Sequence, residues 1–219
     1  MESINEYWEE RAKEFNKGIP GKSPEVEVIL SFVKTLKPKK ILEIGVNYGH
    51  ELKYLEGLAK LYGVDSNETM IENAKQYMPD GIFRLADATS IPYPDNIFDF
   101  VYTDGLLSHA PPETVAEALV EAVRVSRNKI LLIEYLGTRQ SRSGFSNCKK
   151  FTWIHNYERL IAPLEVYTKY NERLNFGADI YQVLLLEKRA PQKVTHVLNN
   201  FAPSFKGLKI GKFKIGWES

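Results

Sequence analysis

The feature that most constrains this chain is the segment 40–50, where an apolar run is followed by two glycines. The run 41–44 predicts a buried strand, and Gly45 and Gly49 predict a turn that opens a helix. Glycine lets the backbone approach a ligand closely, and in open α/β sheets ligands bind at the carboxyl ends of the strands. The segment therefore predicts a nucleoside-type ligand at a junction between a strand and a helix.

Acidic residues mark the ends of three predicted strands and indicate which nucleoside. The pattern E-x-G-x-x-x-G begins at Glu43 and has Asn47 where a further glycine is usual. Asp65 ends the next apolar run, where a carboxylate accepts hydrogen bonds from ribose hydroxyls, and Asp87 follows the third, placed for an adenine amino group. A carboxylate at Glu43 would repel a pyrophosphate but bind an amine. The combination favours S-adenosylmethionine (SAM) over a dinucleotide, because SAM carries an amine and a sulfonium and no phosphate.

With these motifs in order, residues 4 to 188 resemble the class I SAM-dependent methyltransferases. The resemblance is carried by Tyr7-Trp8-Glu9-Glu10-Arg11-Ala12, Glu43-Ile44-Gly45, Val64-Asp65, Ala86-Asp87-Ala88 and Pro92-Tyr93-Pro94-Asp95 before Phe98-Asp99. Segments 104–113 and 124–135 are similar to methylases associated with pseudaminic acid biosynthesis. The resemblance implies SAM as cofactor and a cofactor site made of Tyr7, Trp8, Glu43, Gly45, Asn47, Gly49, Asp65, Ser66, Asp87 and Ala88. For Tyr7 and Trp8, helix packing without cofactor contact is an equal alternative.

The periodicity of the chain predicts an α/β fold. Alternating strands and helices favour a Rossmann-like, doubly wound sheet of seven mostly parallel strands with a C-terminal antiparallel hairpin. The predicted strands lie near 40–44, 61–65, 82–86, 98–103, 129–135, 164–173 and 178–188, and the predicted helices near 4–16, 24–36, 49–59, 68–77, 112–126 and 153–161. Residues 1–189 would form the methyltransferase domain, with 1–37 as a helical cap, and 190–219 a basic aromatic extension.

Composition limits the cellular setting. With 219 residues and 43% hydrophobic side chains, the chain is long enough for one domain with a substantial core. It has no apolar run of the ~20 residues that a membrane span needs and no signal-peptide pattern, so we expect no membrane association. A single cysteine, Cys148, suits a reducing cytoplasm. Scarce glutamine beside abundant Lys and Glu is a pattern of thermophilic proteins.

Two residues near the end of the fourth predicted strand are candidates for catalysis. Asp104 ends the strand where the resembling family presents its methyl acceptor, and it would accept a proton or hold an amine of the acceptor. His109 is the second candidate base, since histidine titrates near neutral pH. Alternatively, His109 only precedes the helix that Pro111 and Pro112 begin. No metal site is predicted.

The sequence leaves the methyl acceptor open. Segments 137–157 and 190–217 contain no acidic residue, and both combine cations with aromatic side chains, a composition suited to single-stranded RNA. The first segment supplies the predicted substrate-binding residues Arg139, Arg142, Lys149, Lys150, Trp153 and His155. An RNA base or ribose is therefore expected modestly ahead of a small molecule, such as a sugar, nucleotide-sugar or anionic metabolite. A SAM-binding interaction module without catalysis is the third reading, and the oligomeric state is not predicted.

Within the tail, residues 208–215 alternate apolar side chains with lysines. This alternation predicts one amphipathic strand with a lysine-rich exposed face. Lysines on such a strand also protect a sheet edge from aggregation, so the tail has a purely structural interpretation beside the RNA-binding one.

Overall fold

A computed structural model of the chain describes residues 3–13, 21–138, 151–177, 179–189, 208–210 and 213–215. Seven strands form its central sheet: β1 (Lys40–Ile44), β2 (Lys60–Asp65), β3 (Ile82–Leu85), β4 (Phe98–Asp104), β5 (Ser126–Thr138), β6 (Val166–Phe176) and β7 (Asp179–Lys188). Their order in the sheet is β3-β2-β1-β4-β5-β7-β6. Strand β7 runs antiparallel to both of its neighbours, and the other pairs are parallel. The predicted Rossmann-like sheet with a C-terminal antiparallel hairpin is confirmed.

The first two helices come before the first strand in the chain, and the other helices lie between strands. They are α1 (Ile4–Lys13), α2 (Pro24–Leu36), α3 (His50–Lys53), α4 (Glu68–Tyr77), α5 (Pro112–Val125) and α6 (Tyr157–Ile161), with a 3₁₀ turn at Leu107–His109. The strand order reverses between β1 and β4, and in doubly wound sheets ligands bind at this crevice. Within the described residues no helix is long and apolar enough to cross a membrane.

Strand β1 shows why the sheet is covered on both faces. Residues 41–44 are all buried, and successive side chains of a strand point to opposite faces. Ile41 packs in the apolar cluster on one face and Leu42 in the cluster on the other. A strand that is apolar on both faces needs helices above and below it, which the alternation of strands and helices supplies. Glu43 is the one charged side chain in this buried run.

The N-terminal end of α2 forms as the sequence predicts. Ser23 precedes the helix, and its Oγ accepts a hydrogen bond from the Val26 backbone N–H at 3.3 Å. Pro24 occupies the first turn, where its missing N–H costs nothing. A serine cap of this kind stabilises a helix by about 1 kcal/mol. The cap fixes the start of α2 and therefore the position of Glu25 in the first turn of that helix.

Three predicted element boundaries are wrong. Helix α3 spans four residues rather than 49–59, because the chain leaves the helical conformation and reaches a left-handed glycine, Gly57, at φ 78°. Strand β5 starts at Ser126, which pairs with Phe98 of β4. It continues to Thr138, into the predicted loop, because it pairs with β7 from Lys129 to Thr138. Trp153 and His155 lie before α6 rather than within it.

The tail also differs from its prediction. Residues 208–215 do not form one strand: β8 (Leu208–Ile210) and β9 (Phe213–Ile215) pair antiparallel in a separate two-stranded sheet. An alternating pattern fixes the period of a strand but not where the chain reverses.

Candidate functional site

A cavity of about 1260 Å³ lies at the carboxyl ends of β1, β2 and β4. Its wall includes most of the residues that the sequence singles out: Trp8, Glu43, Gly45, Asn47, Asp65, Ser66, Asp87, Ala88, Asp104 and His109. Two predicted cofactor residues, Tyr7 and Gly49, are outside the described wall. Gly49 instead begins α3 at φ 83°, close to the Met78 side chain.

The turn after β1 explains how the chain manages with one glycine fewer than usual. Gly45 has φ 77° and Asn47 has φ 52°, so both adopt the left-handed conformation. Asparagine tolerates this conformation better than most residues, which lets Asn47 stand where a glycine is usual. A Cβ atom on Gly45 would lie 2.8 Å from Leu106 Cδ1. The turn and the loop after β4 therefore touch across the cavity at a position that only glycine fits.

Asp65 ties two turns of the cavity wall together. Its Oδ2 accepts a hydrogen bond from the Asn47 N–H and its Oδ1 accepts one from the Asn67 N–H, both at 2.9 Å. Burial raises the pKa of Asp65, and the backbone N–H groups partly offset this. Each carboxylate oxygen keeps a second lone pair, so the group can accept from a pair of adjacent hydroxyls, as in a ribose.

Asp87 and Glu43 are two further acidic residues in the cavity wall that the sequence singled out. Asp87 is exposed, and its Oδ1 accepts hydrogen bonds from Thr89 N at 2.8 Å and Thr89 Oγ1 at 2.7 Å. Glu43 is 1% exposed and accepts from the Tyr102 hydroxyl at 2.8 Å. Burial, and then the charge of Glu51, raise the pKa of Glu43 well above its usual value.

These groups fit SAM. Asp65 provides hydrogen-bond acceptors, and apolar surface for a purine ring comes from Met70, Leu85 and Ala86 of the same wall. Gly45 keeps the turn after β1 in the cavity wall, and Glu43 contributes a carboxyl group with which an amine can form a hydrogen bond. No arginine is among the described wall residues, so this part of the wall lacks the side chain that most often clamps a phosphate.

Helix α1 closes one side of the cavity. Glu9 accepts hydrogen bonds from Asn67 Nδ2 at 3.1 Å and from Thr69 Oγ1 at 2.9 Å, which anchors α1 to the start of α4. Trp8 contacts the His109 ring edge-on, with ring centroids 4.9 Å apart. Tyr7 packs behind it, against Trp8 and Phe151. Trp8 is thus in the wall, and Tyr7 holds it in place.

His109 is held in one tautomer. Its Nδ1 is 2.8 Å from the Phe151 carbonyl oxygen, and a carbonyl only accepts, so Nδ1 carries the hydrogen. Nε2 is then the basic nitrogen. Burial lowers the pKa of His109, so the ring is neutral at physiological pH and is able to take up a proton.

The segment 151–155 fastens the loop after β4 from outside. Trp153 N–H donates to the Ser108 carbonyl at 2.8 Å, and His155 Nε2 lies 2.9 Å from the Ala110 carbonyl. Neither residue is in the described wall, so their substrate-binding roles stay predictions. The other four predicted substrate residues, Arg139, Arg142, Lys149 and Lys150, lie outside the described residues, as does Cys148.

Glu134, which the sequence did not single out, supports the same loop from below. It is fully buried, and accepts hydrogen bonds from Thr103 Oγ1 at 2.7 Å and from Ser108 N–H at 3.0 Å. Burial raises the pKa of Glu134 to about 7. The carboxyl group connects the end of β4 to the 3₁₀ turn and so sets where Asp104 and His109 face the cavity.

Two more carboxyl groups that sequence reasoning missed line the same cavity. Glu25 and Glu51 are in the wall with Asp104. Burial raises the pKa of Asp104 well above its usual value, and the charges of Glu51 and Glu25 raise it further. Burial also raises the pKa of Glu51 to about 7. Sequence gave no signal for either glutamate, because acidic residues in the first turn of a helix are common wherever helices begin.

Known proteins share this fold and domain. The methyltransferase domain family matches residues 42–133. A demethylmenaquinone methyltransferase of Thermotoga maritima is 28% identical over 76 residues, which is 33% of each chain, so the match spans about a third of that relative's length.

Solved structures match more of the chain. PH0226 of Pyrococcus horikoshii has a TM-score of 0.60 at 19% identity and covers 75% of this chain and 89% of its own. The 1,6-didemethyltoxoflavin-N1-methyltransferase of Burkholderia thailandensis, with S-adenosylhomocysteine bound, has a TM-score of 0.63 at 15% identity. The match covers 87% of this chain and 92% of that enzyme. The [4+2]-cyclase SpnF has a TM-score of 0.66 at 13% identity, and the match covers 85% of this chain and 96% of SpnF. Residues 42–133 thus match the methyltransferase domain family, and the chain has the fold of these solved structures.

Proposed function

We propose that this protein transfers the methyl group of SAM to a small molecule that enters the cavity beside Asp104 and His109. The observation that carries the proposal is the size of the cavity. Its volume of about 1260 Å³ exceeds the ~300–1,000 Å³ of a typical single-ligand site. A nucleoside cofactor against Asp65 leaves room for a second molecule against Asp104.

The chain's own residues have three tasks in this reaction. When bound, SAM supplies a methyl group on a positively charged sulfur, which a lone pair of the acceptor displaces. Asp65, Gly45 and Glu43 hold the cofactor, and α1 keeps bulk water out. Asp104 or Nε2 of His109 takes a proton from the acceptor if that atom carries one. Because positioning supplies much of the rate of a displacement, the loop held by Glu134 is part of the catalytic apparatus.

RNA is the second candidate acceptor. The acid-free segments 137–157 and 190–217 favour it. The described cavity wall does not, because it holds ten carboxylate residues and one lysine, and a phosphate would be repelled there. The carboxylate residues are Glu6, Glu9, Glu10, Glu25, Glu43, Glu51, Asp65, Glu68, Asp87 and Asp104, and the lysine is Lys13. The same charge disfavours an anionic metabolite.

Two experiments separate these functions from a binding module without catalysis. Calorimetric titration with S-adenosylhomocysteine measures whether the cofactor binds. Transfer of tritiated methyl from SAM is then measured into total RNA and into a small-metabolite extract, with Asp104→Asn as the impaired control. Label in the metabolite extract that depends on Asp104 supports the proposal. Label in RNA establishes the second candidate, and binding without any transfer means that the protein is an interaction module.

A further inference from the structure

We propose, building on the methyltransferase function above, that the acceptor is a small amine which binds as its ammonium ion between the carboxylates of Glu51 and Asp104. The inference deepens the proposed function by naming the substrate class. It also gives a role to side chains that the cofactor site does not use.

These two carboxylates have almost no hydrogen-bond donors among the described residues. Among the described residues, nothing donates a hydrogen bond to the side chain of Asp104, and the backbone N–H of Glu51 itself is the one donor to the side chain of Glu51. Neither side chain forms an ion pair with a described residue. Both are enclosed by the fold and face the cavity. An enclosed carboxylate without a donor is costly, and partners or metal ions normally compensate it. A ligand that carries positive charge and several N–H groups supplies what is missing.

The neighbours of Glu51 and Asp104 add negative charge rather than cancel it. Glu25 and Glu43 are close enough for their charges to raise the pKa of Asp104. In the described wall Lys13, on α1, is the only Lys or Arg side chain. An anionic or phosphate-bearing acceptor would therefore meet repulsion at this end, whereas a cation would meet attraction from several sides.

Two aromatic side chains line the same cavity as Glu51 and Asp104. Tyr135 and Tyr181 are in the wall, with ring centroids 5.7 Å apart. Aromatic faces attract organic cations and bind their carbon skeletons. No group of three or more His, Cys, Asp or Glu side chains in the described residues is arranged to hold a metal ion. Carboxylates beside aromatic rings, without metal-site geometry, suit an organic ammonium.

Asp104 also has the chemistry that an ammonium acceptor requires. An ammonium nitrogen has no lone pair until it loses a proton. In the proposed step an N–H bond breaks, an O–H bond forms on the Asp104 carboxylate, and the N–H electron pair becomes the lone pair of the amine. Burial raises the pKa of Asp104, which brings it closer to that of an amine and makes this transfer easier than to an ordinary aspartate. Glu51 remains to hold the cationic product.

The test uses three probes with one skeleton and different charge: benzylamine, benzyl alcohol and benzoate. Their dissociation constants are measured by NMR titration of the full chain saturated with S-adenosylhomocysteine. Saturation matters because that compound carries an amine of its own, which must first occupy its own place. Glu51→Gln and Asp104→Asn are compared with Glu117→Gln, which removes the same charge from an exposed position outside the described wall.

We expect benzylamine to bind at least about tenfold more tightly than either other probe, the factor that one charge-assisted hydrogen bond supplies. Glu51→Gln and Asp104→Asn should each remove about tenfold of benzylamine affinity, and Glu117→Gln should leave it unchanged. Equal binding of the three probes would overturn the inference. So would benzylamine binding only to the cofactor-free protein, because the carboxylates would then serve the cofactor's amine. Failure of S-adenosylhomocysteine itself to bind would instead refute the proposed function.

Discussion

The two halves of the cavity use carboxylates in opposite ways. On the nucleoside side, Asp65 and Asp87 are held by backbone or hydroxyl donors, and Glu43 by a tyrosine hydroxyl. On the acceptor side, Asp104 has no donor among the described residues, and Glu51 has only its own backbone N–H. A carboxylate already held by donors is rigid and partly neutralised, so it selects neutral hydroxyl groups by geometry. A carboxylate with few or no donors instead favours ligands that carry positive charge.

Substitutions in the two halves of the cavity should therefore change different measured quantities. Changes on the nucleoside side should alter cofactor affinity, and changes on the acceptor side should alter acceptor affinity and proton transfer while the cofactor still binds. Gly45 is the place where the halves meet, because Leu106 of the acceptor loop lies directly against it.

The largest effect is expected from Asp65→Ala. The change removes a charged acceptor for two hydroxyl donors and releases the turns that carry Asn47 and Asn67. Each charge-assisted hydrogen bond contributes about 1.5–3 kcal/mol, so affinity for S-adenosylhomocysteine should fall by at least about 100-fold. Calorimetry measures it, with Asp80→Ala, an exposed aspartate outside the described wall, as control. Unchanged affinity would remove Asp65 from the cofactor site.

Gly45→Ala should damage both halves at once. The new Cβ would lie 2.8 Å from Leu106 Cδ1, and the residue would be held at φ 77°. The control is Gly57→Ala, which has nearly the same φ of 78° but no atom within 4 Å of the added Cβ. Both variants carry the ~1–2 kcal/mol strain of a left-handed residue, measured by urea unfolding. Only Gly45→Ala should also lose about tenfold in cofactor affinity, and equal losses in both variants would mean that the contact with Leu106 is unimportant.

Stability should fall as pH rises, because of the acceptor half. Burial raises the pKa of Glu51 from 4.5 to about 7, so between these values the folded protein binds more protons than the unfolded chain. The free energy of unfolding therefore decreases through this window, by up to about 1.4 kcal/mol per pH unit for one such group. Urea midpoints at pH 5, 6, 7 and 8 should decline. Glu51→Gln should flatten the decline and Glu117→Gln should not; a midpoint that rises with pH would contradict the burial of unpaired carboxylates.

The smallest effect is expected from Trp8→Ala. Trp8 covers the cavity through its edge contact with His109, but Glu9 separately anchors α1. Loss of one aromatic contact is worth about 1 kcal/mol, so cofactor dissociation in stopped-flow should speed up severalfold. Trp8→Phe retains an aromatic ring, so its rate of cofactor dissociation should lie between the rates of the unchanged protein and of Trp8→Ala. A tenfold or larger change would mean that Trp8 touches the cofactor directly and is more than a cover.

Much of the nucleoside side could be predicted from sequence because its signals are local. An apolar run that ends in an acidic residue, followed by glycine, defines both a strand end and a ligand-facing turn, as at Glu43 and Asp65. The left-handed Asn47 was foreseen only as a missing glycine. Its backbone conformation depends on the hydrogen bond between its N–H and Asp65 of another strand.

The acceptor side could not be predicted in the same way. Asp104 was singled out because it ends a predicted strand, but Glu25 and Glu51 come from other elements, and only the fold brings them to the same cavity. In sequence, Glu25 and Glu51 are ordinary acidic residues at the starts of helices. Trp153 and His155 were assigned to a helix from their spacing to apolar neighbours, but hydrogen bonds to Ser108 and Ala110 hold that segment in another conformation.

A crystal structure of the protein with S-adenosylhomocysteine tests the division of the cavity most directly. The account predicts that the ribose hydroxyls donate to Asp65, and that the sulfur faces Asp104 with Glu51 left uncovered by the cofactor. If the amine of the cofactor instead lies between Glu51 and Asp104, or the ribose lies away from Asp65, the two halves do not have the separate roles described and the account is wrong.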